Sequence, residues 1–218
     1  MTVFPANPVF IERVHQLLHA GYATLSDGER QKFNRLDEPD ISGELAMRIL
    51  QLLDSRALPG NWRAWHVGDN MPENEPQLPL EKRRLGKRRK LPDLTFRYAG
   101  LRETLYFRFE AKCLADTGAY EDLISENDGL GRFLRRVYGR GDAAGGLLAY
   151  VKIDSMKFHA GCVRDAFERQ PKKYRIAKGG EWCAVQWKSG PICCFRTEHV
   201  RAQAGGRIAI YCTFLLFC

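Results

Sequence analysis

Hydrophobic residues in the first quarter of the chain recur every three or four positions, which is the spacing of amphipathic helices. This pattern predicts a helix over residues 8–24 and a clearer one within "EPDISGELAMRILQLLDS". Between them, Ser26–Glu29 has the spacing of a capping box and predicts the start of a further helix. Asp40 or Ser42 is the expected N-cap of the clearer helix.

Further along the chain, alternating apolar and polar residues predict strands. We expect a strand in "NWRAWHVGD" and a β-hairpin formed by "LTFRY" and "TLYFRFEAK". The remaining pattern predicts a helix over residues 120–138, a buried strand in "GGLLAYVKID", a helix in "MKFHAGCVRDAFERQ" and three C-terminal strands. This order of elements predicts a mixed α/β domain in which helices flank a central sheet.

The size and composition of the chain are those of an ordinary globular protein. It has 218 residues, of which 44% are hydrophobic and 28% charged, so we expect a single domain spanning residues 1–218. The formal net charge of +8 favours contact with polyanions such as nucleic acid. A mild excess of basic residues is also explained by solubility alone.

The cysteines and the apolar runs indicate the cellular compartment in which we expect the protein. Seven cysteines are present without a C-x-x-C pair, so a structural zinc site is not expected. Their odd number and the lack of an apolar leader favour a reducing cytoplasm. The longest apolar run, "IAIYCTFLLFC", is too short to span a bilayer and predicts a buried strand. We therefore expect a cytoplasmic protein with no membrane partner.

Two carboxylates and a lysine mark the ends of the predicted hairpin. Asp93 opens it, Glu110 lies near its far end, and strand alternation places Lys112 on the same face as Glu110. Carboxylate oxygens suit Mg²⁺, which retains several waters, and the backbone carbonyl of Ala111 is a third candidate ligand. Lys112 would hold an attacking water or balance the charge of a phosphate. The metal itself would lower the pKa of a bound water.

This arrangement resembles the PD-(D/E)xK nuclease superfamily, whose fold is called restriction-endonuclease-like. Pro92-Asp93 matches its "PD", and Glu110-Ala111-Lys112 matches its "(D/E)xK". The family core would correspond to residues 40–151, and Glu44 stands where many members carry a further acidic residue on the preceding helix. The resemblance implies Mg²⁺-dependent phosphodiester cleavage, with Mn²⁺ as a substitute. It places Glu44 and the two hairpin carboxylates at the metal and Lys112 at the attacking water.

The motif also has a plainer interpretation. A surface strand that ends in an E-x-K sequence is usually a solvated edge strand, and the bare spacing of these charges often arises by chance. The apolar residues around Glu110 and Lys112 in "LYFRFEAKCL" favour a site in or beside the core, because buried charges need partners. "DGLGRFLRRVYGRG" with "GGLLAYV" further resembles small nucleases of bacterial anti-phage systems.

Basic residues flank the motif on both sides. In the family that this chain resembles, the helix after the E-x-K strand faces the cleft, so Arg132 is expected to contact phosphate or to brace Glu110, and Arg136 lies one turn further on. A basic run precedes Asp93 and would bind phosphates at the mouth of the site. A solvated loop or a localisation signal would have the same composition. The run consists of Lys82, Arg83, Arg84, Lys87, Arg88, Arg89 and Lys90.

The function expected from these features is that of a metal-dependent endonuclease acting on DNA rather than RNA. An unrestrained nuclease would harm its host, so we expect a defence effector controlled by a protein partner or by a change of oligomeric state, homo-oligomers included. The alternative is a catalytically idle nucleic-acid-binding or assembly subunit on the same fold.

Overall fold

The computed structural model contains one seven-stranded sheet flanked by helices, in the strand order β1-β2-β3-β4-β7-β6-β5. It describes residues 7–58, 60, 62–69, 92–100, 104–138, 141–187, 193–202 and 206–218. The helices are α1 (Pro8–Ala23), α2 (Asp27–Phe33), α3 (Glu38–Asp54), α4 (Tyr120–Leu123), α5 (Gly129–Leu134) and α6 (Met156–Arg169). The strands are β1 (Trp65–Asp69), β2 (Leu94–Ala99), β3 (Thr104–Leu114), β4 (Ala144–Val151), β5 (Cys183–Ala184), β6 (Cys193–Val200) and β7 (Arg207–Leu216).

The sheet is mixed, which confirms the predicted α/β class. Strands β3, β4 and β7 form a parallel centre, whereas β1-β2-β3 on one side and β7-β6-β5 on the other are antiparallel. One face packs on α1 and α3, and the opposite face packs on the helices α4 to α6. Burial of both faces explains why β4 and β7 are almost continuously apolar.

The predicted hairpin is confirmed, and its register brings the motif together. Leu94 of β2 pairs with Phe109 of β3, and the backbone N–H of Asp93 donates to the carbonyl of Phe109 at 3.1 Å. Asp93 therefore lies directly beside Glu110. On β3, Phe109 and Ala111 face α1 and α3, so Glu110 faces the side of α4 and α5.

Local patterns predicted the first two helices correctly, and the capping box of Ser26–Glu29 is formed. The predicted caps of α3 are wrong. Asp37 is the N-cap, because the helix begins two residues before Asp40 and its first turn accommodates a proline. Ser42 is buried inside the helix, where its hydroxyl lies 2.7 Å from the hydroxyl of Tyr150.

The single helix predicted over residues 120–138 is also wrong, because two short helices replace it. The chain turns sharply between them and approaches itself closely at two glycines. Gly129 has φ +42°, and a Cβ there would lie 2.1 Å from the carbonyl oxygen of Leu123. A Cβ on Gly131 would lie 1.8 Å from the carbonyl oxygen of Glu126. Any side chain at either position would clash with this backbone turn.

The outermost predicted strands are shorter than their apolar patterns. Among the described residues of "NWRAWHVGD" and "EWCAVQW", the strands are limited to Trp65–Asp69 and Cys183–Ala184. Within the described part of the chain, no helix is both long enough and apolar enough to cross a membrane.

Candidate active site

The site begins where β3 extends beyond the end of its partner β2, so the edge of β3 is uncovered there. Two carboxylates take the place of the missing strand. The backbone N–H of Ala111 donates to Oδ2 of Asp93 at 2.7 Å, and the N–H of Cys113 donates to Oε2 of Glu38 at 3.2 Å. Satisfying these buried donors fixes both carboxylates against the strand that carries Glu110.

Glu110 is the most deeply buried member of the cluster, with 0% of its side chain exposed. Its carboxylate lies against Nη1 of Arg132, 2.7 Å from Oε1 and 2.8 Å from Oε2. Arg132 comes from α5 and also donates to the hydroxyl of Tyr138. Arg132 thus braces Glu110, which is one of the two roles predicted for this arginine.

Lys112 lies at the centre of several carboxylates. Its Nζ is 3.4 Å from Glu38, 3.7 Å from Glu110 and 3.6 Å from Asp128, the residue that precedes α5. Burial opposes the charge of the lysine, yet the nearby carboxylates raise the pKa of Lys112 above its ordinary value. The ammonium group therefore remains protonated at neutral pH.

Burial raises the pKa of three carboxylates of this cluster, whereas for Asp128 the attraction of Lys112 and Arg132 outweighs burial and lowers the pKa. Burial, followed by repulsion from Asp93, raises the pKa of Glu110 to about 8, against the attraction of Arg132 and Lys112. Burial likewise raises the pKa of Asp93 and of Glu38. Negative charge is thus costly here, and a further cation would relieve that cost.

The donor chemistry of the cluster fits a hard divalent cation. Asp93 and Glu110 offer adjacent carboxylate oxygens, and Oε1 of Glu110 is buried without accepting a hydrogen bond of good geometry from any described residue. N–H and C=O of one residue point to the same side of an extended strand, so the Ala111 carbonyl also faces this edge. Mg²⁺ would be held by the two carboxylates and by water.

Two observations limit this fit. Among the described residues, no group of three or more His, Cys, Asp and Glu side chains is arranged to hold a metal ion. Arg132 also lies against both oxygens of Glu110, so it would have to move when a cation bound there.

Glu44 is the predicted site residue that the structure places elsewhere. Its carboxylate accepts from Nε of Arg48 at 3.0 Å, and Arg48 also contacts Glu29 at 2.7 Å. Glu38 is the carboxylate of α3 that reaches Lys112. The two glutamates are six positions apart, about 9 Å along the helix and on different sides of it. Glu38 was missed because the helix was predicted to start after it.

The basic residues predicted to bind nucleic acid do not all lie in the site. Arg132 lies in the site, whereas Arg136 lies beyond α5, where its Nη2 packs against Gly206. The basic run from Lys82 to Lys90 lies outside the described residues.

A cavity of about 450 Å³ adjoins the cluster. Glu38 and Lys112 line it together with two further basic residues, Arg35 and Lys152, so the ammonium end of the cluster is reachable from solvent. A cavity of this volume is large enough for a nucleotide-sized group.

The comparisons with known proteins do not identify a relative. No protein-family model matches the chain, and no curated protein or solved structure matches it significantly. The function is therefore inferred from the geometry of the site.

Proposed function

We propose that this protein is a metal-dependent endonuclease of the PD-(D/E)xK type that cleaves phosphodiester bonds in DNA. The observation that carries the proposal is the convergence of Asp93, Glu110 and Lys112 in one buried cluster, joined by the carboxylate of Glu38. The order of helix, antiparallel hairpin, helix and parallel strand supports the restriction-endonuclease-like fold.

Asp93 and Glu110 are assigned to the cation because they are adjacent, buried and held by the backbone or by Arg132. Mg²⁺ bound there would lower the pKa of a coordinated water and offset the charge that develops on phosphorus. Mn²⁺ would substitute for it.

Lys112 is assigned to the attacking water and the phosphate. Its ammonium group is protonated and cannot accept a proton, so it acts by orienting a water molecule or by stabilising negative charge. Its three carboxylate neighbours hold Nζ beside Glu110, where a phosphate would approach the metal ligands. Glu38 is a positioning residue, since it fixes both the lysine and the edge of β3.

The net charge of +8 supports a polyanionic substrate, and DNA is favoured over RNA by the family resemblance. The setting that we propose is a bacterial defence system in which a protein partner or homo-oligomerisation controls cleavage.

The experiment is cleavage of supercoiled plasmid DNA with Mg²⁺, with Mn²⁺ and with EDTA. We expect cutting by the wild type that EDTA blocks and that Lys112→Ala abolishes. Lys172→Ala removes the same charge from an exposed position and is the matched control. Equal cleavage by the wild type and Lys112→Ala would show that the site is assigned to the wrong residues.

One observation favours a second candidate, a nucleic-acid-binding subunit without catalysis. Arg132 already neutralises Glu110 and occupies the side on which a cation would bind. Calorimetric titration with Mn²⁺ separates the two functions. The nuclease binds Mn²⁺ in the wild type and loses that binding in Glu110→Gln, whereas the idle subunit binds DNA without binding the metal.

A further inference from the structure

Arg132 connects the most buried carboxylate of the site with an exposed one. Its Nη1 lies against both oxygens of Glu110, at 2.7 and 2.8 Å, and its Nη2 lies 2.5 Å from Oδ1 of Asp128. The side chain of Glu110 is 0% exposed, whereas that of Asp128 is 40% exposed. The guanidinium group therefore extends from the interior of the site to its surface.

The backbone on both sides of Arg132 is held in place. The N–H of Gly131 donates to the carbonyls of Ser125 and Asp128 at 2.9 and 2.8 Å, and the carbonyl of Arg132 accepts from the N–H of Val137 at 2.8 Å. Close packing of the backbone leaves no room for a Cβ at Gly131. We therefore expect the guanidinium group to move by rotation of its own side-chain bonds, without a movement of α5.

In its present position Arg132 opposes the binding of a cation to Glu110. The guanidinium group occupies hydrogen-bonding positions of both carboxylate oxygens, and Nζ of Lys112 lies 3.7 Å from Oε1. Like charges repel strongly where little water separates them. A divalent cation would bind Glu110 tightly only after the guanidinium group had left that carboxylate.

A phosphate group has the chemistry needed to draw Arg132 away. The side chain of Arg132 is 21% exposed, so an anion can reach it from solvent. Guanidinium groups match the oxygens of phosphate in geometry as well as in charge. The contact with Asp128 lies on the exposed side and can be retained during the movement. Arg132 thus has an alternative set of anionic partners at the surface.

We propose that Arg132 couples substrate binding to cation binding. A phosphate of the bound DNA strand takes the guanidinium group from Glu110, and Glu110 is then available to a divalent cation. This inference rests on the proposed nuclease function, because that function supplies both the strand and the cation. Until DNA binds, Arg132 keeps the cation site weak. The coupling is reciprocal, so DNA and the cation strengthen each other's binding by the same factor.

Calorimetric titration with Ca²⁺, with and without a short DNA duplex, measures the coupling. Ca²⁺ takes oxygen ligands as Mg²⁺ does, and as the weaker Lewis acid it leaves the duplex intact. The pH is 8.5, because burial raises the pKa of Glu110 to about 8 and a protonated Glu110 would not hold a cation. We expect DNA to strengthen Ca²⁺ binding to the wild type about tenfold. Arg132→Gln should bind Ca²⁺ about tenfold more tightly than the wild type without DNA, and DNA should then add less than about threefold.

Tyr138→Phe separates the contact of Arg132 from its charge. It removes the hydroxyl to which Nη1 donates at 2.5 Å and which also bonds to Glu110, while Arg132 itself remains. We expect Ca²⁺ binding without DNA to become about threefold tighter, because Arg132 is held less firmly at Glu110. This variant tests the inference even if circular dichroism shows that Arg132→Gln does not fold. Arg135→Gln removes a charge that bonds to Asn127 and should behave as the wild type.

The coupling is overturned if DNA leaves the Ca²⁺ affinity of the wild type unchanged, or if neither variant binds Ca²⁺ more tightly than the wild type without DNA. None of these titrations depends on cleavage. Plasmid cleavage by a protein that shows no coupling would overturn this inference alone. A wild type that binds DNA but never binds Ca²⁺ would overturn both the coupling and the cation site on which the proposed nuclease depends.

Discussion

Two charged clusters share one face of β3, and they differ in charge balance. Around Glu110, the carboxylates of Asp93, Glu38 and Asp128 outnumber the cations of Lys112 and Arg132. Two residues earlier, Arg108 forms an ion pair with Asp142 whose side chains are only 10% and 24% exposed. A further cation would relieve the repulsion in the first cluster, whereas the charges of the arginine and the aspartate offset each other in the second.

The difference between the clusters comes from the elements that pack on the strand. Alternation along β3 places residues 108, 110 and 112 on one face whatever surrounds them. Asp93 and the N-terminal turn of α3 supply carboxylates at one end, whereas Asp142, just before β4, supplies the partner of Arg108 at the other.

The largest expected effect concerns the cluster around Glu110. On the proposed function, Lys112→Ala should reduce the rate of DNA cleavage by about 10³-fold, because it removes charge stabilisation at the reacting phosphate. Lys172→Ala removes the same charge from an exposed position and should leave the rate unchanged. Initial rates measured over a range of DNA concentrations test this difference, and an equal reduction in both variants would contradict the role assigned to Lys112.

The second prediction separates these charged clusters from the neutral histidines of the core. Burial lowers the pKa of His15 and of His199 to about 4. The unfolded chain therefore binds more protons than the folded one between pH 6.5 and 4. The stability that these two histidines contribute is complete above pH 6.5 and is lost as the pH falls towards 4, by about 3 kcal/mol for each histidine. Glu110 contributes in the opposite direction, because its pKa is raised to about 8 in the folded chain.

Urea unfolding of the wild type and of His199→Phe at several pH values measures this dependence. We expect His199→Phe to lose about 3 kcal/mol less stability than the wild type between pH 6.5 and 4, because it removes one of the two histidine contributions. An equal loss in both proteins would show that His199 does not cause the acid sensitivity.

Asp142→Asn tests the buried ion pair at Arg108. Removing the carboxylate should lower the free energy of unfolding by about 2 kcal/mol, because the pair with Arg108 is largely buried. Urea unfolding of the wild type and of the variant provides the measurement, and an unchanged free energy of unfolding would show that the pair does not stabilise the fold.

The smallest expected effect compares two glutamates on α3. Glu38→Gln should reduce the rate of cleavage about tenfold. The glutamine amide would hold Lys112 and the Cys113 backbone less firmly than the carboxylate does. Glu44→Gln should change cleavage less than about twofold, since Glu44 contacts Arg48 rather than the site. Cleavage rates of both variants under identical conditions test the assignment, and the reverse order of effects would restore Glu44 to the site.

Local sequence patterns were enough to predict the short-range features of the molecule. The alternation around Glu110 and Lys112, the hairpin register that brings Asp93 beside them, and the capped helices at the N-terminus all depend on residues close together in the chain. Strand and helix periodicities are local properties, so they can be predicted from a local pattern.

Which distant side chains complete each cluster depends on how the elements pack in three dimensions. Glu38 replaced Glu44 because the start of α3 and its docking on the edge of β3 determine which turn of the helix reaches Lys112. Arg108 and Asp142 are 34 positions apart and meet because β3 and β4 lie side by side in the sheet. Strand order depends on long-range packing, which no local periodicity encodes.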